Sequence, residues 1–234
     1  RLFSDNLLLA FPAHEARHRR GEPEFGHILD TIQLYQLQLA CKGFFIRGGL
    51  AWGKLYVDDE IAVGPALIEA YKLDRTGGPP VIALTEGAVD TVREHFGFYV
   101  DHREAPQYED LLEFGEDRTV FVNYLAQTYA GFPDYGVFLE TVIEHKGAIE
   151  TAFSAAASDS VRKKFEWLGA YHNFVCNDFP ERHPMIPSEQ AERFAGQAYG
   201  HEQAQQMREH VVDFAATDSS IRQVTHEPIR RPDD

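Results

Sequence analysis

The residue with the clearest potential for chemistry is Asp5, in the short polar run Ser4-Asp5-Asn6 between two apolar flanks. A turn between two strands exposes such a carboxylate. It can then bind a divalent cation, because Mg²⁺ and Mn²⁺ prefer hard oxygen ligands. The same three residue types also form good turns without any ligand. Taken locally, the run indicates a turn first and a metal ligand second.

Other motifs of metal or nucleophile chemistry are weak or absent from the sequence. His14 and His18 have the i, i+4 spacing of zinc ligands on a helix, but HEARH lacks the adjacent acid of H-E-x-x-H and is surrounded by arginines. No G-x-S-x-G, P-loop or Rossmann glycine pattern occurs. Cys41 and Cys176 lie far apart without metal-ligand spacing, which is typical of two buried thiols in a reducing cytosol.

The composition predicts a folded protein that does not bind nucleic acid. The chain has 234 residues, of which 44% are hydrophobic and 25% charged, enough for one domain plus an extension or for two small domains. A net charge of −15 repels phosphate backbones and excludes DNA or RNA as partners. Small nucleotides stay possible, because carboxylates can hold the metal ions that carry a triphosphate. No apolar run approaches the ~18 residues of a membrane span, and no signal peptide is visible.

Several elements in the first 75 residues would position these side chains. Residues 2–11 are predicted to form strand, tight turn and strand. Apolar residues at helical spacing predict a helix over 25–42, which Gly43 ends. The glycine-containing run 44–53 predicts a central strand, 54–63 a short hairpin around Asp58-Asp59, and 64–74 a helix with Pro65 in its first turn.

Strands give way to helices further along the chain. A strand over 81–85, a helix over 87–96 and a strand over 119–125 are predicted, with a mixed acidic segment at 97–118. The predicted helices beyond are 135–151, 158–177, 188–197 and 199–216, followed by a loosely held tail after Ser219. The pattern predicts an α+β or α/β domain over 1–125, with residues 2–11, 44–53 and 119–125 in one mostly antiparallel sheet, and a helical C-terminal extension over 126–234.

The stretch 44–75, taken together with Ser4-Asp5, resembles the class III nucleotidyl cyclases. Their hairpin tip carries Gly-Asp or Ser-Asp, and a strand of pattern R-x-G-I-x-x-G follows. A helix opened by glycine and reading roughly V-N-x-A-x-R-L-E comes next. The corresponding segments here are Arg47–Gly53 (RGGLAWG) and Gly64–Asp74 (GPALIEAYKLD). The resemblance is closer to the bacterial pyrimidine cyclases of the Pycsar anti-phage system, including the helical extension with KKFEWLGAYHN at 163–173.

The resemblance implies a ferredoxin-like, palm-type sheet, a homodimer, and two Mn²⁺ or Mg²⁺ ions, with Asp5 as a metal ligand. The family's second metal carboxylate lies on a strand that precedes this hairpin. The chain starts at Arg1, within a predicted strand and without an initiator Met, so we expect the metal-binding strand to belong to a segment upstream. The alternative is a protein that has lost half of its metal site. Arg1 aligns with a base-reading position and could donate to a pyrimidine carbonyl. Ile61 aligns near the second such position, where it cannot accept the adenine amino proton.

The residues that stabilise the transition state in the wider family, an Asn and an Arg, align with Ile68 and Lys72. Ile68 cannot position a ribose oxygen, whereas Lys72 could neutralise charge on the phosphate as a point charge. Arg47, Glu69 and Tyr71 are further candidates for the same site. A structural or solvated role is an alternative for each of these residues.

The main hypothesis is an enzyme that converts UTP or CTP into a 3′,5′-cyclic nucleotide and pyrophosphate, as an anti-phage alarm signal. One alternative is a degenerate cyclase-like module that senses a nucleotide without turning it over, which Ile68 favours. A purely structural dimerisation domain with Asp5 in a turn is the other alternative. Under each hypothesis no membrane or nucleic-acid partner is expected.

Overall fold

The computed structural model describes residues 2–3, 6–13, 21–127, 135–178 and 220–224. These residues form an α+β fold with a mixed five-stranded sheet, two separate hairpins and five α-helices. In chain order the elements are β1 (Leu2–Phe3), β2 (Asn6–Leu7), α1 (Glu22–Cys41), β3 (Gly48–Leu50), β4 (Tyr56–Val57), β5 (Ala62–Val63), α2 (Pro65–Asp74), β6 (Ile82–Leu84), α3 (Glu86–Phe96), β7 (Leu111–Phe114), β8 (Thr119–Val122), α4 (Tyr135–Ser154), α5 (Asp159–Asp178) and β9 (Arg222–Gln223).

The five-stranded sheet has the order β3-β6-β8-β7-β9. Strands β3 and β6 are parallel, with Gly49 opposite Ala83, and the other three pairs are antiparallel. The parallel pair needs a crossover, which α2 provides by packing on both strands. The prediction of a mostly antiparallel sheet is therefore confirmed, as are the helices predicted over 25–42 and 64–74.

Two predictions about the sheet are wrong. Strands β1 and β2 pair only with each other, as Leu2 with Leu7 and Phe3 with Asn6, so this hairpin does not belong to the five-stranded sheet. Strand β3 lies at an edge of the sheet and not at its centre. The apolar, glycine-rich composition of 44–53 reflects the close packing of α2 on this edge strand, where Gly49 meets the helix backbone.

Strands β7 and β9 are two short strands that the sequence did not predict. Strand β7 falls in the segment that was expected to be mixed, and it is paired on both sides. The tail after Ser219 was expected to be loosely held, yet residues 220–224 include β9, with Ile221 and Val224 buried. The buried Glu113 on β7 accepts from the Nε atoms of Arg118 at 3.1 Å and Arg222 at 2.5 Å, so a charged cluster joins the two strands.

Two buried clusters lie on opposite faces of the sheet, because side chains alternate along β7 and β8. The first contains Leu112 and Phe121 with residues of α1, α4 and α5, and the second contains Leu111, Val120 and Val122 with residues of α1 and α3. Residues on both sides of the predicted domain boundary near 125 thus share the first cluster.

The C-terminal helices that the structure describes agree with prediction. Helices α4 and α5 match the segments expected at 135–151 and 158–177. The helices expected at 188–197 and 199–216 lie outside the described residues. None of the helices described is both long enough and apolar enough to cross a membrane.

Candidate functional site

The cyclase-like motif residues in the described part of the chain form one packed unit, the β3–α2 unit (residues 47–75). A Cβ atom on Gly49 would lie 2.3 Å from the carbonyl oxygen of Ala70, so the helix backbone rests directly on the strand. A Cβ atom on Gly64 would lie 2.5 Å from the carbonyl oxygen of Lys54. Glycine is therefore required at both motif positions because two backbones approach closely there.

Arg47 links the start of the β3–α2 unit to its C-terminal end. Its Nε donates to Oδ1 of Asp74 at 3.0 Å, which joins the residue just before β3 to the last residue of α2. Both side chains are partly exposed, so the pair contributes little to stability but fixes the direction of the guanidinium group. Arg47 is a candidate site residue by its motif position, and in the structure its side chain contacts Asp74.

The outer face of α2 carries the other predicted residues. Ile68, Tyr71, Lys72 and Arg75 follow the i, i+3, i+4, i+7 spacing of a single helix face, and all four are exposed. Ile68 is 53% and Tyr71 59% exposed. The Arg75 guanidinium lies 6.0 Å from the centre of the Tyr71 ring. This face therefore offers two cations and two apolar side chains to a ligand or a partner protein. Glu69 is exposed as well.

Ile61 lies on the β4–β5 hairpin, the turn of which is organised by Asp58. The Asp58 carboxylate accepts from the backbone amides of Glu60 at 2.8 Å and Ile61 at 2.6 Å, and from the Tyr56 hydroxyl at 2.8 Å. The backbone of Ile61 is thereby fixed, while its side chain is 53% exposed. Asp58 has a structural role here, as its position in a predicted hairpin suggested.

The remaining two candidates, Arg1 and Asp5, lie outside the described residues. Within the described ranges, no group of three or more His, Cys, Asp or Glu side chains is arranged to hold a metal ion. The metal donors of the hypothesis are Asp5 and an upstream carboxylate. No step that involves a metal can therefore be derived from the described geometry.

Two carboxylates that the sequence analysis passed over have unusual environments. Burial raises the pKa of Asp110 to about 6, against a hydrogen bond from the Gln33 amide at 2.9 Å. Burial, and the neighbouring charge of Asp110, raise the pKa of Glu109 to about 7. A Glu-Asp pair directly before the two leucines Leu111 and Leu112 was the available signal, since the start of a buried strand draws its neighbours out of water.

No protein-family model matches the sequence, and no curated protein or solved structure is detectably similar to it. The resemblance to the nucleotidyl cyclases consequently rests on the motif residues and their spacing alone.

Proposed function

We propose that the protein is a pyrimidine nucleotide cyclase that acts as a homodimer with two divalent metal ions. The observation that supports this most is the β3–α2 unit. Three glycines match the cyclase pattern, and at two of them, Gly49 and Gly64, backbone contact requires glycine, whereas a Cβ atom on Gly53 would make only an ordinary contact with Ala66. The spacing of Ser4-Asp5 to this unit adds support, as does Ile61, which cannot recognise adenine.

In the proposed reaction the 3′-hydroxyl of UTP or CTP loses its proton and attacks the α-phosphorus in line. The new O3′–P bond forms as the bond to the β-phosphate oxygen breaks, and pyrophosphate leaves. Bound at Asp5, Mn²⁺ or Mg²⁺ would neutralise the triphosphate and lower the pKa of the hydroxyl. Lys72 would stabilise charge on the phosphate, and Arg47 could assist it after release from Asp74. Arg1, Ile61, Ile68 and Tyr71 would contact the nucleoside.

The direct test incubates the full-length protein with Mn²⁺ and each of the four ribonucleoside triphosphates. Chromatography of the products should show a cyclic monophosphate from UTP or CTP and little from ATP or GTP. Asp5→Ala should abolish turnover without unfolding the protein. Asp117→Ala is the matched control, because Asp117 is an exposed aspartate in the β7–β8 turn. Turnover that survives in Asp5→Ala would disprove the site assignment.

A nucleotide sensor without turnover is the second candidate. One observation that favours it is the Arg47–Asp74 ion pair, because the guanidinium proposed for catalysis is already bound to a carboxylate. The other is Ile68, which stands where the family has a polar residue. Tight binding of one triphosphate, measured by calorimetry in the absence of any conversion, would replace the cyclase proposal with this one.

A further inference from the structure

Four buried side chains form a continuous line of hydrogen bonds, here called the histidine chain: Tyr124, His145, His172 and Cys176. The Tyr124 hydroxyl lies 2.8 Å from His145 Nε2. His145 Nδ1 lies 2.8 Å from His172 Nδ1, and the two rings meet edge to edge, with centres 5.1 Å apart and planes inclined by 27°. Cys176 Sγ lies 3.5 Å from His172 Nε2. None of the four side chains enters the proposed cyclase chemistry.

The histidine chain connects three parts of the fold. Tyr124 belongs to the 3-10 turn directly after β8, His145 to α4, and both His172 and Cys176 to α5. All four residues are at most 2% exposed. A second link lies beside it, where the Tyr171 hydroxyl donates to Asn123 Oδ1 at 2.7 Å and accepts from the amide of Leu125 at 3.0 Å. The helices therefore contact the sheet through buried polar groups as well as through the first apolar cluster.

The geometry of the histidine chain restricts its protons. Only one of the two facing Nδ1 atoms can carry a proton at 2.8 Å, because one must donate and the other accept. If Tyr124 donates to His145, then His145 donates to His172 and His172 donates to Cys176. If Cys176 donates, each bond reverses. In both neutral arrangements the two imidazoles are opposite tautomers, and every ring nitrogen has a partner.

When a further proton binds to the histidine chain, one of the two imidazoles must carry a positive charge. Both nitrogens of His145 already contact neutral groups, the Tyr124 hydroxyl and the His172 ring. The imidazolium charge would therefore be buried without a charged partner on the ring, which is costly. Consistent with this, burial lowers the pKa of His145 well below its usual range, with the proximity of His172 as a smaller cause.

We propose that the histidine chain is an acid-sensitive contact which releases α4 and α5 from the sheet when His145 takes up a proton. Apart from His172, no ionisable neighbour among the described residues shifts the pKa of His145. Burial raises the pKa of Cys176 to about 12 and of Cys41 to about 11, so both thiols are neutral near pH 6. Lys146 acts on the Cys176 thiol, and Glu144 and Lys42 act on the Cys41 thiol, but none of the three is a cause of the lowered pKa of His145. The proposal does not depend on cyclase activity.

The sign of the pH effect follows from linkage. The folded His145 binds a proton more weakly than the unfolded chain, in which the pKa is about 6.5. The contact is therefore fully formed above about pH 6.5 and weakens as the pH falls below this value, by up to about tenfold in the opening equilibrium per pH unit and per proton. Asp110 and Glu109 titrate over an overlapping range with the opposite sign, so a measurement of global stability alone would mix the two effects.

The test is amide hydrogen exchange of the whole protein between pH 8 and pH 5, corrected for the intrinsic exchange rate and analysed peptide by peptide. Protection in α4 and α5 should fall by several-fold to tenfold per pH unit below about 6.5. Protection in α3, which packs in the other cluster, should not follow it. Parallel loss in α3, or constant protection in α4 and α5, would overturn the proposal.

Two variants separate the histidine chain from other buried histidines. His145→Gln keeps an amide that can reach Tyr124 but cannot take up a proton, so the acid-induced loss of protection should disappear. His95→Gln is the matched control, because His95 is equally buried but lies beside Phe25 and Trp52 on the other side of the molecule. An acid response that His95→Gln removes, and His145→Gln retains, would disprove the assignment.

A measurement on the unmodified protein covers the case in which His145→Gln does not fold. Long-range nitrogen–proton correlation spectra distinguish the two neutral tautomers from the imidazolium. At pH 7 both rings should be neutral and of opposite tautomer. Two identical tautomers, or an imidazolium at pH 7, would contradict the proposed proton arrangement.

Discussion

Asp110 is a carboxyl group whose proton affinity is set by the fold. Its pKa is raised to about 6 mainly by burial, so the folded protein binds this proton more tightly than the unfolded chain does. This group therefore makes the protein less stable as the pH rises from about 4 to about 6. Asp110→Asn keeps an oxygen to accept from Gln33 and removes the charge.

We expect Asp110→Asn to raise the free energy of unfolding by about 1–2 kcal/mol at pH 8 and to leave it nearly unchanged at pH 3.5. Urea unfolding at the two pH values measures this difference. Asp90→Asn, at a half-exposed aspartate of α3, is the control and should change neither value appreciably. Equal effects of Asp110→Asn at both pH values would show that the carboxylate is not strained by burial.

Gly49 determines how closely α2 approaches β3. Because an added Cβ atom would meet the backbone of Ala70, Gly49→Ala should push the helix outward and lower the free energy of unfolding by about 2–3 kcal/mol. Gly78→Ala is the matched control, since nothing lies within 4 Å of a Cβ atom there, and its effect should be within about 0.5 kcal/mol. Chemical denaturation measures both, and a tolerated Gly49→Ala would mean that the two elements can separate without cost.

The sequence predicted the structural role of individual residues well when that role depends on neighbouring residues in the chain. Glycines in a strand indicate a close approach, and Asp58 in a polar turn indicates a hairpin, because both effects act over a few residues. The partner atoms were not predictable. The carbonyl of Ala70, the Asp74 carboxylate beside Arg47 and the His172 ring beside His145 are brought together only by the tertiary fold.

At the scale of elements, the two-residue strand β9 is stabilised by side-chain contacts as well as by its pairing with β7. Ile221 is buried in the first apolar cluster, and Arg222 pairs with Glu113 across to β7. We expect Ile221→Ala to cost about 2–4 kcal/mol, because it removes buried carbons next to the sheet. Ile143→Ala on α4 is the control, since this isoleucine is 45% exposed and should change stability by no more than about 0.5 kcal/mol.

Thermal unfolding followed by circular dichroism gives both values. An Ile221→Ala protein as stable as the control would show that residues 220–224 contribute little to the fold. Hydrogen exchange of peptides that cover β7 would then decide whether β9 pairs in solution.

Long helices were predictable and short strands were not. Helices α1, α2, α4 and α5 span between 10 and 20 residues, so the apolar period repeats often enough to be recognised. Strands β7 and β9 have four and two residues. Alternation over so few positions is indistinguishable from a loop. Glu113 also hides the buried character of β7, because one of its two arginine partners, Arg222, lies 109 residues away in the chain.

At the scale of the whole molecule, the predicted homodimer can be tested on a defined surface. The β4–β5 hairpin and the outer face of α2 expose large apolar side chains that a second copy could cover: Tyr56, Val57, Ile61, Val63, Ile68 and Tyr71. If the dimer forms through this surface, Ile68→Asp should convert it into a monomer with unchanged secondary structure. Light scattering coupled to size-exclusion chromatography measures the mass at micromolar concentration.

Val100→Asp is the control for this experiment, because Val100 is a fully exposed apolar residue outside that surface. It should leave the oligomeric state unchanged. A wild-type protein that remains a monomer while fully active would contradict the dimer, and equal dissociation by both variants would contradict the choice of surface.

The general class of the molecule was predictable, and its strand order was not. Alternating strands and helices followed by helices predicted an α+β fold, because each pattern reflects a local period. The order β3-β6-β8-β7-β9 depends on pairings between distant segments, and on the separation of the β1–β2 hairpin from the main sheet. Arg1 and Asp5, on which the metal and base assignments rest, are outside the described residues, so those assignments stay predictions.

The pairing of β9 with β7 also has a consequence for synthesis of the protein. Glu113 and Arg222 are 109 residues apart in the chain. At translation rates of about 5–20 residues per second, the β7 edge emerges roughly 5–20 seconds before its partner strand has been made. During this interval an open strand edge could pair with another nascent chain. The Glu113 carboxylate, not yet covered by Arg222, places a charge on that edge and disfavours such pairing until β9 has been made.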